Sequence, residues 1–136
     1  MSISTSEFRA LAELRFRLRS FLAFSEAQAR SVGLEPRQHQ LLLALHGLPA
    51  DTPPTIGAVA ARMVLRHHTV VGLVDRLERA GLVRRGRATG DRRQVSLKIT
   101  RRGQETLRRL SIAHRDELAL TAPALVKALR HVLRSA

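Results

Sequence analysis

TIGAVAARMVLRHHTVVGLVDRLERAG, residues 55–81, reads as two short helices meeting at a tight turn. The first spans about 56–62 behind Thr55, a residue type suited to the N-cap. The second spans about 67–80 and stops at Gly81, the residue type that best accepts the left-handed position past a helix end. Within it Val70, Leu73, Val74 and Leu77 fall at i, i+3, i+4 and i+7 and make one apolar stripe. At about 100° per residue, His68, Gly72, Asp75 and Arg79 project from the other side, flanked by Thr69, Val71 and Arg76. One face can anchor in a core while the other presents donors, acceptors and a methyl-bearing hydroxyl. A helix-turn-helix that reads DNA needs that division of labour.

Downstream, Val95, Leu97 and Ile99 alternate with Gln94, Ser96 and Lys98, the strand period. Paired with residues 82–87 across Ala88, Thr89, Gly90 and Asp91, they give a basic β-hairpin, a wing. Upstream, Pro36 suits the first turn of a helix over about 36–46, with Leu41, Leu42, Leu45 and Gln38 as its buried face. Residues 47–54, rich in turn formers, make a surface loop.

Long helices close both ends. Residues 4–32 form one helix ending at Gly33, with Leu11, Leu14, Leu18, Phe21, Leu22 and Ser25 along one side. Ala12, Phe16, Ala23 and Ala27 lie nearly opposite, and two apolar stripes on an end helix imply that a partner chain covers one of them. Thr100 caps a helix over about 101–118, and Thr121 with Pro123 opens a last one to about 134. Its Leu125, Ala128, Leu129, Val132 and Leu133 repeat at three and four, a dimer-seam pattern. The expected fold is mainly α with a small β-hairpin: a single domain over 1–136, with a winged helix-turn-helix lobe at about 34–100. Dimerisation helices at about 4–32 and 101–134 flank it.

At 136 residues the chain can bury roughly two-thirds of its unfolded surface in one domain. It has no Trp or Tyr, and its four Phe all lie in the first 24 residues, so aliphatic side chains must fill the rest of the core. The absence of cysteine excludes disulfides and thiolate metal sites. No apolar run approaches about 20 residues and the N-terminus lacks signal-peptide order, so a soluble, cytoplasmic protein without membrane contact is expected. Net charge is +13, and residues 62–109 carry 14 Lys/Arg against four acids, most of that excess in a third of the chain. Charge so concentrated is the footprint of a polyanion binder, the plain alternative being solubility charge in an arginine-rich protein.

With the helix pair and the arginine-rich hairpin placed, the chain resembles the multiple antibiotic resistance regulator (MarR) family of winged-helix transcription regulators. The resemblance is most specific in LVDRLERAGLVRR (73–85), GDRRQVSLKIT (90–100) and Gly103, with Asp91, Arg92 and Arg93 matching the family's wing-tip signature. Val64 departs from it, standing where many helix-turn-helix turns carry glycine. The resemblance implies a homodimer whose terminal helices interlock through Leu11, Leu14, Leu18, Leu125, Leu129 and Val132. It also implies recognition helices in the major groove of a palindromic operator, wings in the minor groove, and release by a small aromatic or phenolic effector.

Arg66, His67, His68 and Thr69 stand at the N-terminal end of the second helix, where family proteins approach bases and phosphates. That end offers free N–H groups to phosphate, and His and Thr can read base edges. Val71, Gly72 and Arg76 complete the candidate reading face, Gly72 permitting close approach; its bland reading is plain tolerance of glycine. Arg87, Arg92 and Arg93 suit a narrow minor groove, with Asp91 orienting an arginine there. Arg84 and Arg85 read as phosphate contacts or as solvated strand charge.

Metal and catalysis find little footing. His67 and His68 diverge by about 100° and His39 and His46 lie roughly 10 Å apart along a helix, so no metal or other cofactor is expected. His114 and His131 form no pattern with either pair. No nucleophile elbow, phosphate-binding glycine loop or convergent carboxylate pair is present, so no enzymatic activity is expected. Against the sequence-specific repressor stands a nonspecific architectural nucleic-acid-binding protein. A protein of that kind would carry Lys or Arg where this one has His68, Thr69 and Gly72.

Overall fold

The first helix, α1 (Thr5–Ser31), begins at a reciprocal cap. Ser4 Oγ accepts the Glu7 N–H (3.1 Å) and the Glu7 carboxylate accepts the Ser4 N–H (2.6 Å). A computed structural model describes residues 2–87 and 95–135 of the chain. Gly33, at φ +81, turns the chain into α2 (Pro36–His46), while the Leu34 N–H bonds back to the Ala29 carbonyl at 2.9 Å. Gln38, expected on the buried face of α2, is half-buried and accepts the Glu35 N–H (2.7 Å). His39 takes the interior place beside Leu41, Leu42 and Leu45.

Thr55 caps α3 (Ile56–Met63) by accepting the Ala58 N–H at 3.1 Å. After α3, Val64 adopts the left-handed conformation at φ 54, ψ 46, which costs a β-branched residue about 1–2 kcal/mol. Its side chain is 89% exposed and recovers little of that cost by packing. Then comes α4 (His67–Arg79), whose Val70, Leu73, Val74 and Leu77 are all buried. Gly81 at φ +75 releases the chain into β1 (Val83–Arg87), paired antiparallel with β2 (Val95–Ile99). Val83, Leu97 and Ile99 face the core, and the loop before α3 joins the edge of β2. There the Leu97 N–H donates to the Pro54 carbonyl at 2.7 Å and Thr55 bridges to Ser96.

The C-terminal region departs from the sequence expectation. Instead of two helices parting near Thr121 and Pro123, one helix, α5 (Arg101–Ser135), runs straight through, with Pro123 inside it. Pro123 lacks an N–H to offer the preceding turn, but its ring sits on the exposed side. Buried positions on both sides of it, Leu107 and Leu110 before and Ala128 after, anchor both halves of the helix by packing. Thr121 Oγ1 donates to the Glu117 carbonyl (3.0 Å) within the helix instead of opening a new one.

Thr100 does cap α5: its Oγ1 accepts the Gly103 N–H (3.0 Å) and donates to the Gly81 carbonyl (2.7 Å). Gly103 lies so close to the wing base that an added Cβ would strike the Leu82 carbonyl oxygen and sit 2.8 Å from Ile99 Cγ1. Leu41, Leu42, Val59, Val70, Val74, Leu77, Val83 and Leu110 fill the core where α2, α3, α4, β1 and α5 meet. The two long helices pack antiparallel as a stalk, Ser25 of α1 meeting His114 of α5 and Phe21 facing Leu118 and Leu125.

On α1 the leucine-rich stripe divides. Leu14, Phe21 and Ser25 turn inward, whereas Leu11, Leu18 and Leu22 stay exposed, as does Phe16 of the second stripe. On α5, Leu125 and Val132 are half-buried and Leu129 is exposed. Among the described residues, no helix is long and apolar enough to cross a membrane.

Candidate nucleic-acid interface

The buried stripe of α4 fixes how its other face is presented. Leu65, half-buried, pins the turn between α3 and α4, its N–H bonded to the Ala60 carbonyl at 3.0 Å. Arg66 follows as an N-cap residue whose side chain makes no capping bond. The first turn of α4 thus carries the partial positive charge of a helix start with no side chain occupying it. Arg66, His67, His68 and Arg76 are exposed and Thr69 is half-buried at the same end. Nothing lies within 4 Å of the place a Gly72 Cβ would occupy, so packing inside the chain does not demand glycine there. Val71 is half-buried and leans on the core.

Arg85 answers neither sequence reading for it. Its guanidinium spans two carboxylates of α4, Nη2 to Asp75 Oδ1 at 2.5 Å and Nη1 to Glu78 Oε1 at 2.8 Å. Its backbone N–H also donates to Glu78 Oε2 at 3.0 Å. The register explains this: Arg85 pairs with Leu97 and shares the inward face of β1 with Val83, so it points at α4 instead of at solvent. The Arg85 N–H, and then its guanidinium, hold the Glu78 carboxyl below its ordinary range. Asp75, placed on the outward face from sequence, is thereby neutralised and becomes half of a clamp joining α4 to the hairpin.

On the other face of the hairpin Arg84 stands directly opposite Lys98, both exposed, without an ion pair among the described residues. Like charges at facing positions repel, and an external anion would relieve them. Arg87 is exposed at the end of β1. The wing-tip candidates Asp91, Arg92 and Arg93 lie outside the described residues.

A cleft of about 620 Å³ opens where the outward face of α4 meets the end of α1 and the start of α2. His68, Thr69, Gly72 and Arg76 line it from α4, Glu26 from α1 and Arg37 from α2. Nothing in the sequence pattern pointed to it, because its walls come from three elements far apart in the chain. Among the described residues no group of three or more His, Asp or Glu is placed to hold a metal ion.

Residues 32–94 match the family model for the MarR family. No curated protein sequence matches the chain. Among solved structures, AbsC, a MarR family transcriptional regulator from Streptomyces coelicolor, is 20% identical with a TM-score of 0.74, over 100% of this chain and 84% of that one. A MarR family protein from Bacillus stearothermophilus is 28% identical with a TM-score of 0.62, over 82% and 78%. A mutant of Staphylococcus aureus MepR, bound to an oligodeoxyribonucleotide, is 21% identical with a TM-score of 0.66, over 79% and 78%.

Proposed function

We propose that this chain, whose winged-helix lobe is of the MarR family, is a sequence-specific DNA-binding regulator that works as a homodimeric repressor by occluding a promoter. One observation carries the reading: the uncapped start of α4 presents Arg66, His67, His68 and Thr69 on a helix whose opposite face is wholly buried. A rigidly anchored helix start offers its N–H groups to phosphate, while the imidazoles and the threonine reach base edges in the major groove. Gly72 leaves room for close approach of the helix axis, and Arg76 extends the contact along the groove.

Arg87, with Arg92 and Arg93 beyond it, would reach the flanking minor groove, Asp91 orienting one of them. The unrelieved Arg84–Lys98 pair supplies phosphate contacts on the outer hairpin face. A second copy would cover the exposed Leu11, Leu18, Leu22 and Leu129, set two reading helices about one DNA turn apart and so select a palindrome. An aromatic or phenolic acid in the cleft beside Arg37 and Arg76 would compete for the residues that read DNA, a direct route to release.

The test is a gel shift on the chain's own upstream DNA with excess random competitor at physiological salt. Specific binding should exceed nonspecific by at least about 10³. Equal competition by random DNA would favour an architectural protein instead.

The clamp makes a sharper prediction. Arg85→Ala should weaken operator binding at least about tenfold, because Asp75 and Glu78 then face the phosphates uncompensated and the wing loses its tie to α4. Fluorescence anisotropy across a salt series reads this. Unchanged affinity would mean that the wing is positioned without the clamp.

A further inference from the structure

His39 of α2 is 2% exposed, and His114 of α5 lies against it with ring centres 5.0 Å apart. Two rings of α1 close the box, Phe21 and Phe24 meeting His114 edge-on at 5.9 and 5.5 Å. Both nitrogens of His114 are engaged, Nδ1 with the Leu110 carbonyl at 2.6 Å and Nε2 with Ser25 Oγ of α1 at 2.7 Å. A carbonyl only accepts, so Nδ1 carries the hydrogen and, in the neutral ring, Nε2 accepts from Ser25. Protonation reverses that second bond without losing it, since Nε2–H then donates to Ser25 Oγ.

His39 has no such provision. Its Nδ1 meets the Gln40 side-chain amide nitrogen at 3.4 Å, so in this arrangement a proton added there faces another donor. Among the described residues, His114 is the titratable group that acts on it: α1 brings Phe21, Phe24 and Ser25 to the box. From α3, α4 and β2, which also pack on α2, come core residues such as Val59, Val70, Val74 and Leu97. Burial, and after it the charge on His114, hold the His39 imidazole down at about 4 against an ordinary 6.5.

We propose that the His39–His114 contact is an acid-sensitive latch between the reading lobe and the α1–α5 stalk. A proton on His39 sets like charges on two tilted rings 5.0 Å apart among phenyl groups and frees α2 from both stalk helices. The folded chain refuses a proton that the unfolded chain accepts. Stabilisation by the closed latch is therefore complete above about pH 6.5 and is lost as pH falls from there toward about 4.

The regulatory sense of the latch rests on the DNA-binding reading: a loosened lobe no longer holds its reading helix in register, so acid weakens binding. The exposed His67 and His68 act in the opposite sense, because protonating them adds positive charge beside phosphate. The direction of the pH effect thus separates the latch from simple charge at the interface.

The test titrates the histidine imidazoles of the full chain by NMR and follows urea unfolding from pH 7.5 to pH 5 for the wild type and His39→Leu. The His39 midpoint is expected below pH 5. The wild-type unfolding constant should rise by up to about tenfold per pH unit, the limit for uptake of a single proton, and His39→Leu should remove most of the rise. A His39 midpoint near 6.5, or an undiminished rise in His39→Leu, would overturn the proposal. Should His39→Leu fail to fold, the wild-type titration decides alone. Operator affinity at pH 5.5 and 7.5 forms a separate arm: it should drop in acid for the wild type and not for His39→Leu. Absence of DNA binding at both values would overturn the DNA-binding reading while the stability arm still judges the latch.

Discussion

Gly103→Ala is expected to destabilise the fold by about 2 kcal/mol net, the overpacking cost alone being about 3 kcal/mol, the upper range for forcing a methyl group into a filled site. The added Cβ would meet the Leu82 carbonyl oxygen and lie 2.8 Å from Ile99 Cγ1. One of those neighbours is backbone at the root of the wing and cannot swing aside as a side chain would. Relief requires α5 to back away from the hairpin, which strains the Thr100 Oγ1 bond to Gly81 and uncovers the buried Leu82. Alanine's better helix propensity returns only about 1 kcal/mol. In a chain of this size the net loss corresponds to a fall of roughly 7 °C in Tm, measurable by circular dichroism. A variant melting within the error of the wild type would show that α5 can shift at its base at no cost.

On the proposed homodimer, Leu18→Glu should leave a monomer and lower operator affinity by at least about 10², because two linked α4 helices then become two independent ones. Leu18 is 43% exposed within one chain and its neighbour along the helix, Leu22, 53%, so glutamate there costs the isolated subunit little. Across a symmetric seam it would bury a charge among leucines, with Leu129 and Leu133 as the exposed apolar counterparts on α5. Sedimentation reads the mass and anisotropy the affinity, while helical content should stay unchanged. A Leu18→Glu protein that still sediments as a dimer would move the seam off this face of α1.

The helices and strands from α2 to β2 were legible in the sequence because the signals that mark their spans agree. Apolar residues recur at helical or strand period, Pro36 and Thr55 mark starts, and Gly81 marks an end. Where local signals compete with packing, the sequence misleads. Thr121 and Pro123 look like a helix start, yet buried positions on both sides of Pro123 keep α5 whole. Arg85 was unreadable for another reason: an arginine in a basic hairpin has the composition of a phosphate contact, and only the strand register turns it toward Asp75 and Glu78. The His39–His114 contact joins residues of two helices, neither with a partner at readable spacing on its own element. Val64 shows the reverse, a turn that forms on schedule without the glycine it favours.

The unbroken α5 also has a mechanical meaning. Thirty-five residues make a rod of about 52 Å, wedged at one end against the wing by Gly103 and laid along α1 for the rest. By lever arithmetic on that length, a tilt of about 5° at the wedge displaces the far tip by about 4.5 Å, a gain that a helix broken near residue 120 would forfeit. Pro123, one hydrogen bond short, is the weak section of the rod, and bending there would absorb travel before it reaches the tip. The compliance of that single turn thus sets how much of a small rotation in the winged-helix lobe arrives as motion at the other end of the molecule.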